Sequence, residues 1–437
     1  MVERMEMKRR QFLLSATGAL LALPGASAFG VPGWADIDSV KLKPGQVALN
    51  ESPTRYAFVA DKFSNFISIV DIVSGDYIET LDLGFRPQVF EMARDDAMMA
   101  IGSPEVSGIC FFNLTTRERR FLRLPAPVYQ IFFVPQSKLV AVGLRDRVGM
   151  IDYESFSVRI FSRRFDSPQR QTVLDTFYSL LFSSFSRTFW ILDEERPRIF
   201  RHHFDQAARN LDAAEDVKNA KSGQVKKAAT KPLWKEIDFS RRIKSRAGFG
   251  IGIASPEDHL LALTVDDGSE GLIYFPETDT LRSTGPMRTV GTTNEPMIRP
   301  YIDANTQRVI FADVEGNVAL FDLTRDAAKP QRFRVDFSPR VIRSGWLEST
   351  WLLGGDKALL FQSFDDPDDR KLFRFRAQVV DMWVTGDSKT ALVTIDEQLP
   401  QIFRYDIHTR EMLAPVRVPR ITMAGSIRMG SNNSLCY

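Results

Sequence analysis

An all-β chain folded as a single β-propeller is predicted by two observations. A strand–turn–strand unit recurs at a nearly fixed interval, and an unpartnered strand stands at each end of the series. Segments 66–83, 109–124, 148–161, 318–335 and 402–418 carry the unit most clearly. Each is an apolar run, then Asp or Asn, then a polar turn, then a second alternating run. The markers are Asp71, Asn113, Asp152, Asp322 and Asp406. Asn113 follows Asp71 by 42 residues, Asp152 follows Asn113 by 39, and Asp406 follows Asp322 by 84, which is two units. Asp322 follows Asp152 by 170 residues, which fits three units and an insertion of about forty. A period of about 40–45 residues with about four strands per unit defines propeller blades.

The elements follow in chain order. Residues 1–28 are expected to be an export signal. Lys8, Arg9 and Arg10 precede an apolar run from Phe12 to Leu23, which ends at Ala26-Ser27-Ala28. That is the basic region, short apolar core and small-residue cleavage site of a leader, too short for a membrane anchor. Arg9-Arg10 followed by Phe12-Leu13 fits a twin-arginine signal, with a general secretory signal as the alternative. The expected location is the periplasm, with no transmembrane anchor after cleavage. Residues 29–54 form a lead-in, and 55–435 form the propeller.

Period-two alternation and turn punctuation place innermost strands near Gln88, Tyr129, Tyr178, Phe249, Met297, Val341, Val379 and Thr422. This gives eight four-stranded blades, or seven if a weak unit, the fourth or the seventh, is misread. The first set of outer strands, from Tyr56, has no inner strand before it. The last inner strand, around 426–429, has no outer strands after it. The two halves are expected to complete one blade, a clasp that removes exposed sheet edges. Segment 205–246 breaks the period with Lys- and Ala-rich sequence between the third and fourth strands of blade four. It reads either as a solvated excursion or as a docking element bearing Lys218, Lys221, Lys226, Lys227, Lys231 and Lys235.

Charge excludes one class of partner. Loss of residues 1–28 removes Arg4, Lys8, Arg9, Arg10, Glu3 and Glu6, leaving 53 basic and 53 acidic residues. A balanced chain gives no electrostatic drive toward nucleic acid. Of the two cysteines, Cys110 falls in an apolar strand and reads as a small core residue, and Cys436 is penultimate. There is no CxxC or CxxCH.

No catalytic motif stands out. The four histidines, His202, His203, His259 and His408, lack zinc-binding spacing, and adjacent histidines on a strand point to opposite faces. The acidic run 365–369 lacks the spaced ligands of a calcium loop. No nucleophile elbow, phosphate loop or kinase signature is present. No metal or cofactor is therefore predicted. What does recur is arginine at the junctions leading into inner strands: Arg86, Arg246, Arg340, Arg376 and Arg420, with Arg299 and Arg343 slightly further along. Guanidiniums converging on a channel mouth would bind carboxylate or phosphate in bidentate fashion and cannot lose their charge. Trp346 and Trp383 would add an aromatic wall. The competing reading pairs each arginine with an acid on a neighbouring blade.

Segment 56–97 resembles the YVTN-type repeat of bacterial exported propellers. It has a first strand at 56–60, an I-x-I-V-D strand at 67–71 and a G-x-x-P at 84–87 before the inner strand. The wider superfamily is similar to the propellers of quinoprotein amine dehydrogenases and haem d1 proteins. The arginine-lined face and the lack of a convergent acid–base or metal set favour a non-catalytic exported binding or scaffold protein with an anionic ligand or protein partner. The alternatives are an accessory protein or enzyme of tetrapyrrole maturation, similar to the d1-assembly propellers, or the propeller subunit of a periplasmic redox complex. In the tetrapyrrole case the arginines would hold carboxylate side chains.

Overall fold

The computed structural model describes residues 49, 55–93, 98–144, 147–162, 180–204, 234–287, 296–303, 307–324, 329–345 and 350–429. The expected leader, Trp346, Cys436 and 205–233 lie outside them.

All named elements among these residues are β-strands, arranged as eight antiparallel four-stranded sheets in a ring. Blade one joins β1 (Tyr56–Asp61), β2 (Phe66–Asp71) and β3 (Tyr77–Asp82) to the last strand, β32 (Ala424–Met429). Blade two runs β4 (Val89–Met92), β5 (Met98–Gly102), β6 (Gly108–Asn113), β7 (Arg119–Arg123). Blade three runs β8 (Val128–Phe133), β9 (Leu139–Leu144), β10 (Arg147–Asp152), β11 (Ser157–Ser162). Blade four holds β12 (Leu180–Ser183), β13 (Thr188–Leu192), β14 (Arg198–His203), β15 (Lys235–Asp238). Blade five holds β16 (Phe249–Ala254), β17 (Leu261–Val265), β18 (Gly271–Phe275), β19 (Thr280–Ser283). Blade six holds β20 (Tyr301–Asp303), β21 (Arg308–Ala312), β22 (Asn317–Asp322), β23 (Gln331–Arg334). Blade seven holds β24 (Pro339–Gly345), β25 (Thr350–Gly355), β26 (Ala358–Ser363), β27 (Arg370–Arg374). Blade eight closes with β28 (Val379–Val384), β29 (Thr390–Ile395), β30 (Gln401–Asp406), β31 (Glu411–Arg417).

The eight-blade reading and the clasp both hold. β32 pairs antiparallel with β1, setting Ala57 opposite Met429 and Val59 opposite Ile427. Two boundaries shift from the sequence expectation. Blade six's inner strand starts at Tyr301, because Pro300 has no N–H to give the ladder; Met297 keeps only an isolated bridge to Asp313. β15 takes Lys235–Asp238, so the end of segment 205–246 is blade four's own outer strand. Leu49, from the expected lead-in, is buried against blades one and two, and its N–H donates to Leu114 O at 3.0 Å.

The sequence pattern follows burial. The second strands, such as β13 and β25, are buried along their whole length because a neighbouring blade covers each face, and so they read as near-continuous apolar runs. The outermost strands face water and are mostly exposed or half-buried, as in β3 and β31. The markers have a local cause. The Asp71, Asn113 and Asp152 side-chain oxygens accept N–H bonds from two and three residues ahead, at 2.9–3.2 Å, and so nucleate the third-to-fourth-strand turn. Four residues after each marker the backbone turns left-handed: Gly75 (φ 81°), Arg117 (64°), Phe156 (56°). Only Gly75 adopts that conformation without steric cost.

Asp61 ties the clasp to its turn. It is buried and accepts from Phe63 N (3.0 Å), Ser64 Oγ (2.7 Å) and Thr422 N (2.7 Å). Burial acts to raise this carboxyl, but those donors outweigh it and hold the group below the usual range. A depressed folded value gives stability that is present above the unfolded value and lost as pH falls through the folded one. Asp61→Asn should therefore cost about 1–3 kcal/mol at pH 7 in urea denaturation. The gap to wild type should begin to shrink as pH falls below about 4, where the unfolded carboxyl protonates, and close once the pH has also passed below the depressed folded value.

Cys110 is buried in the blade-one/blade-two core, and burial pushes its thiol up to about 12. In a Cys436→Ser chain, Cys110 should stay inert to a thiol reagent at pH 8 and react fully once denatured. A fast native reaction would contradict the core assignment.

Candidate functional site

Antiparallel blades sort their turns onto two faces. First-to-second and third-to-fourth strand turns share one face. Second-to-third turns and the junctions between blades share the other. His259 and His408 lie in turns of the first kind, opposite the junctions that carry the arginines.

Arg340, second in β24, and Arg376, Arg420 and Arg86, in the connections before β28, β32 and β4, mark the entries to blades seven, eight, one and two, four consecutive entries on one arc of the ring. Arg246 enters blade five, away from that arc. Their engagements differ. Arg86 pairs with Glu105 at 3.0 Å, and Arg376 Nε donates to Glu397 at 2.6 Å. Both acids sit in the second-to-third turn of the blade that the arginine enters. Arg246, Arg340 and Arg420 are exposed and have no acidic partner among the described residues. Trp383 is not a wall of the mouth: it is buried in the core between blades eight and one.

Deeper on the same arc, the inner strands carry a chain of charges that the sequence reading missed, apart from Arg343. Glu91 of β4 meets Arg428 of β32 at 3.0 Å. Arg428 Nη1 reaches Asp381 of β28 at 2.8 Å, and Arg343 of β24 lies 3.4 Å from the same carboxylate. Asp381 also accepts from Met382 N (2.8 Å) and Ile427 N (3.2 Å). The Arg428 guanidinium lies over the Trp383 ring at 4.8 Å, a cation–π contact on its apolar side. Arg343 Nε donates to Met382 O at 3.0 Å. This ladder joins four blades at the axis and balances two cations with two anions. One signal could have revealed it: a single charged residue inside an otherwise apolar innermost strand, in VFEM, VVDMWV and AGSIRM.

Other polar groups serve the blade seams. Asp258 is buried between blades four and five; its carboxylate accepts from Trp190 Nε1 (2.6 Å), Ser183 Oγ (3.2 Å) and Arg201 Nη2 (2.5 Å). Burial pushes this carboxyl above its usual range, against the pull of Arg201 and the two other donors. A cavity of about 170 Å³ on the opposite face is lined by Phe111, Tyr153, Phe156, Glu118 and Glu154. The chain's own Arg120 lies over Phe156 at 5.0 Å, with Nε on Glu118 at 2.7 Å. Among the described residues no group of three or more His, Cys, Asp or Glu is placed to hold a metal ion, and no helix is long and apolar enough to cross a membrane.

Fold and site together define an eight-bladed propeller of the architecture that the YVTN-type resemblance implies. No family profile and no curated protein matches the chain. Among solved structures it is similar to the dihydro-heme d1 dehydrogenase NirN in complex with DHE: TM-score 0.63, 12% identity, covering 88% of this chain and 77% of that one. Apo AztD from Citrobacter koseri aligns with TM-score 0.52 and 10% identity over 85% of this chain and 96% of its own. A functionally unknown protein from Desulfotomaculum acetoxidans gives 0.50 and 8% over 87% and 100%. At these identities the likeness is one of fold.

The ladder makes a quantitative prediction. Arg428→Met leaves Glu91 without its partner and Asp381 with Arg343 and two backbone donors alone, and should cost about 3 kcal/mol. Combined with Asp381→Asn in a double-mutant cycle, it should show a coupling of about 1–3 kcal/mol by urea denaturation. Additivity of the two changes would remove the ladder from the account of ring stability.

Proposed function

We propose that this chain is an exported, non-catalytic binding propeller that takes an acidic group, on a small ligand or on a protein, at the junction face over blades seven, eight, one and two. The observation that carries this reading is the arc itself: four arginines at consecutive junctions, with Arg340 and Arg420 exposed and without an acidic partner among the described residues. A planar guanidinium left uncommitted is suited to bidentate capture of a carboxylate or phosphate. Fold alone does not assign an activity. The described residues hold no convergent acid–base or metal set that would favour catalysis over binding. Export rests on the leader pattern of residues 1–28.

A tetrapyrrole bearing carboxylates is the sharpest small-molecule probe, because guanidiniums spaced around a mouth match carboxylates spaced around a ring. No described histidine lies on this face to ligate its metal, so the arginines would hold the macrocycle by its edge groups. Titration with metal-free uroporphyrin, followed by absorbance, is expected to saturate. Arg86→Ala with Arg340→Ala should weaken it about tenfold or more while the melting temperature barely moves, because an exposed pair such as Arg86–Glu105 stabilises by about 0–1 kcal/mol. A large loss of stability with unchanged binding would return both residues to a purely structural role.

A further inference from the structure

We propose that the seam between blades eight and one, on the junction face, is a docking surface for a protein segment that is acidic and carries large apolar side chains. The inference rests on the binding reading above and names the partner's chemistry. Three loops are knit together there. Lys62 N donates to Met423 O (3.0 Å), Val418 N to Pro400 O (2.9 Å) and Ser68 Oγ to Pro419 O (2.8 Å). Thr422 N donates to Asp61 (2.7 Å), and Lys62 Nζ pairs with Asp396 at 3.1 Å.

From this braced platform two apolar side chains project. Phe63 is 60% exposed and Leu399 79% exposed. Among the described residues they are the exposed large apolar side chains of this face. Val73, Tyr77, Phe185, Leu372 and Met412 lie on opposite-face turns or outermost strands. Both project from turns fixed by carboxylates: Asp61 under Phe63, and Glu397, which accepts from Arg376 and Gln401, beside Leu399. Exposed apolar groups on pre-ordered turns lose little entropy when covered, which is the condition for an interface anchor.

Charge selects the occupant. The nearby carboxylates Asp61, Asp396 and Glu397 are all engaged within the chain. Arg417 and Arg420, either side of the Val418–Pro400 bond, are exposed with no acidic partner among the described residues. The apolar pair is therefore edged by uncommitted positive charge, which complements an acidic segment and repels a basic one. A second copy docked through the same patch would set the same guanidiniums against each other, with Asp61, Asp396 and Glu397 already engaged.

The test places a photo-crosslinking benzoylphenylalanine at position 63, at 399 and, as the opposite-face control, at 185, in the full chain in its native cells. Irradiation is followed by mass-spectrometric mapping of the captured segment. The expected result is adducts at 63 and 399 but not at 185, mapping to a segment with an excess of Asp and Glu and with apolar side chains. Arg417→Glu with Arg420→Glu should cut the yield about tenfold, and Arg→Gln at both positions serves if the reversal misfolds. No adduct, equal yield at 185, capture of a second copy, or a captured segment without acidic excess overturns the proposal. Arg86 and Arg340 are untouched, so porphyrin binding that depends on them without crosslinking sinks this inference alone. Crosslinking without porphyrin binding sinks only the small-ligand form of the functional reading.

Discussion

The ring depends on one antiparallel pairing, that of β32 with β1. Each of the other blades is completed by strands that are consecutive in the chain. Blade one is assembled from the two ends of the series, and until it forms, two sheet edges stay open. The closing strand also carries Arg428, which reaches backward to Asp381 in blade eight and forward to Glu91 in blade two. The axis is therefore charge-satisfied only when the ring is shut. The same closure brings Thr422 onto Asp61 and Met423 O onto Lys62 N, which braces the turn that presents Phe63. Closure, the axial ladder and the seam between blades eight and one are three consequences of one strand exchange.

Much of this was legible in the sequence because it repeats for a local reason. A turn nucleated by an Asp or Asn that caps its own backbone must place that residue at the same point in every blade, and Asp71, Asn113 and Asp152 obey this. Strands buried on both faces must be apolar throughout, so β9, β13, β17 and β29 stand out unaided. Boundaries failed where one residue overrode the pattern. Pro300 withholds an N–H and delays β20. The charged run up to Arg246 hides β15, a strand wet enough to look like part of the excursion before it.

The arginines were the hard part, because one residue type does two jobs here. Many stitch blades together at about one repeat's distance: Arg242 to Asp279 (2.8 Å), Arg410 to Asp369 (2.5 and 2.6 Å), Arg374 to Asp336, and Arg117 to Glu79. Others, Arg246, Arg340 and Arg420, sit at or beside junctions without an acidic partner among the described residues. Linear spacing cannot separate the two sets, since a partner one blade away is about forty residues off in either direction. The same blindness hid the ladder. Arg428 and Glu91 are 337 residues apart in the chain and touch only because the ends meet. Trp383 reads as a channel residue from its strand position, yet its ring packs into the seam and meets the axis only through the guanidinium above it.

The distribution of uncommitted groups is the strongest pointer to use. On the opposite face, Asp258 engages both Arg201 and Trp190, and Arg120 lies over Phe156 in the lining of the aromatic cavity between blades two and three. At the axis, the ladder closes its own charges. On the junction face the carboxylates near the seam are all engaged, but Arg340, Arg417 and Arg420 are not, and Phe63 and Leu399 remain uncovered beside them. Each of these costs the isolated chain something: exposed apolar area, and like charges held on a rigid rim. A propeller has acidic residues with which to neutralise such a rim, and this one pairs arginines such as Arg242 and Arg374 with Asp279 and Asp336 elsewhere. Arg246 at blade five also lacks an acidic partner among the described residues, but on this face it is over the seam between blades eight and one that unpartnered guanidiniums adjoin exposed apolar side chains, and an external acidic, partly apolar surface is the complement of that pairing.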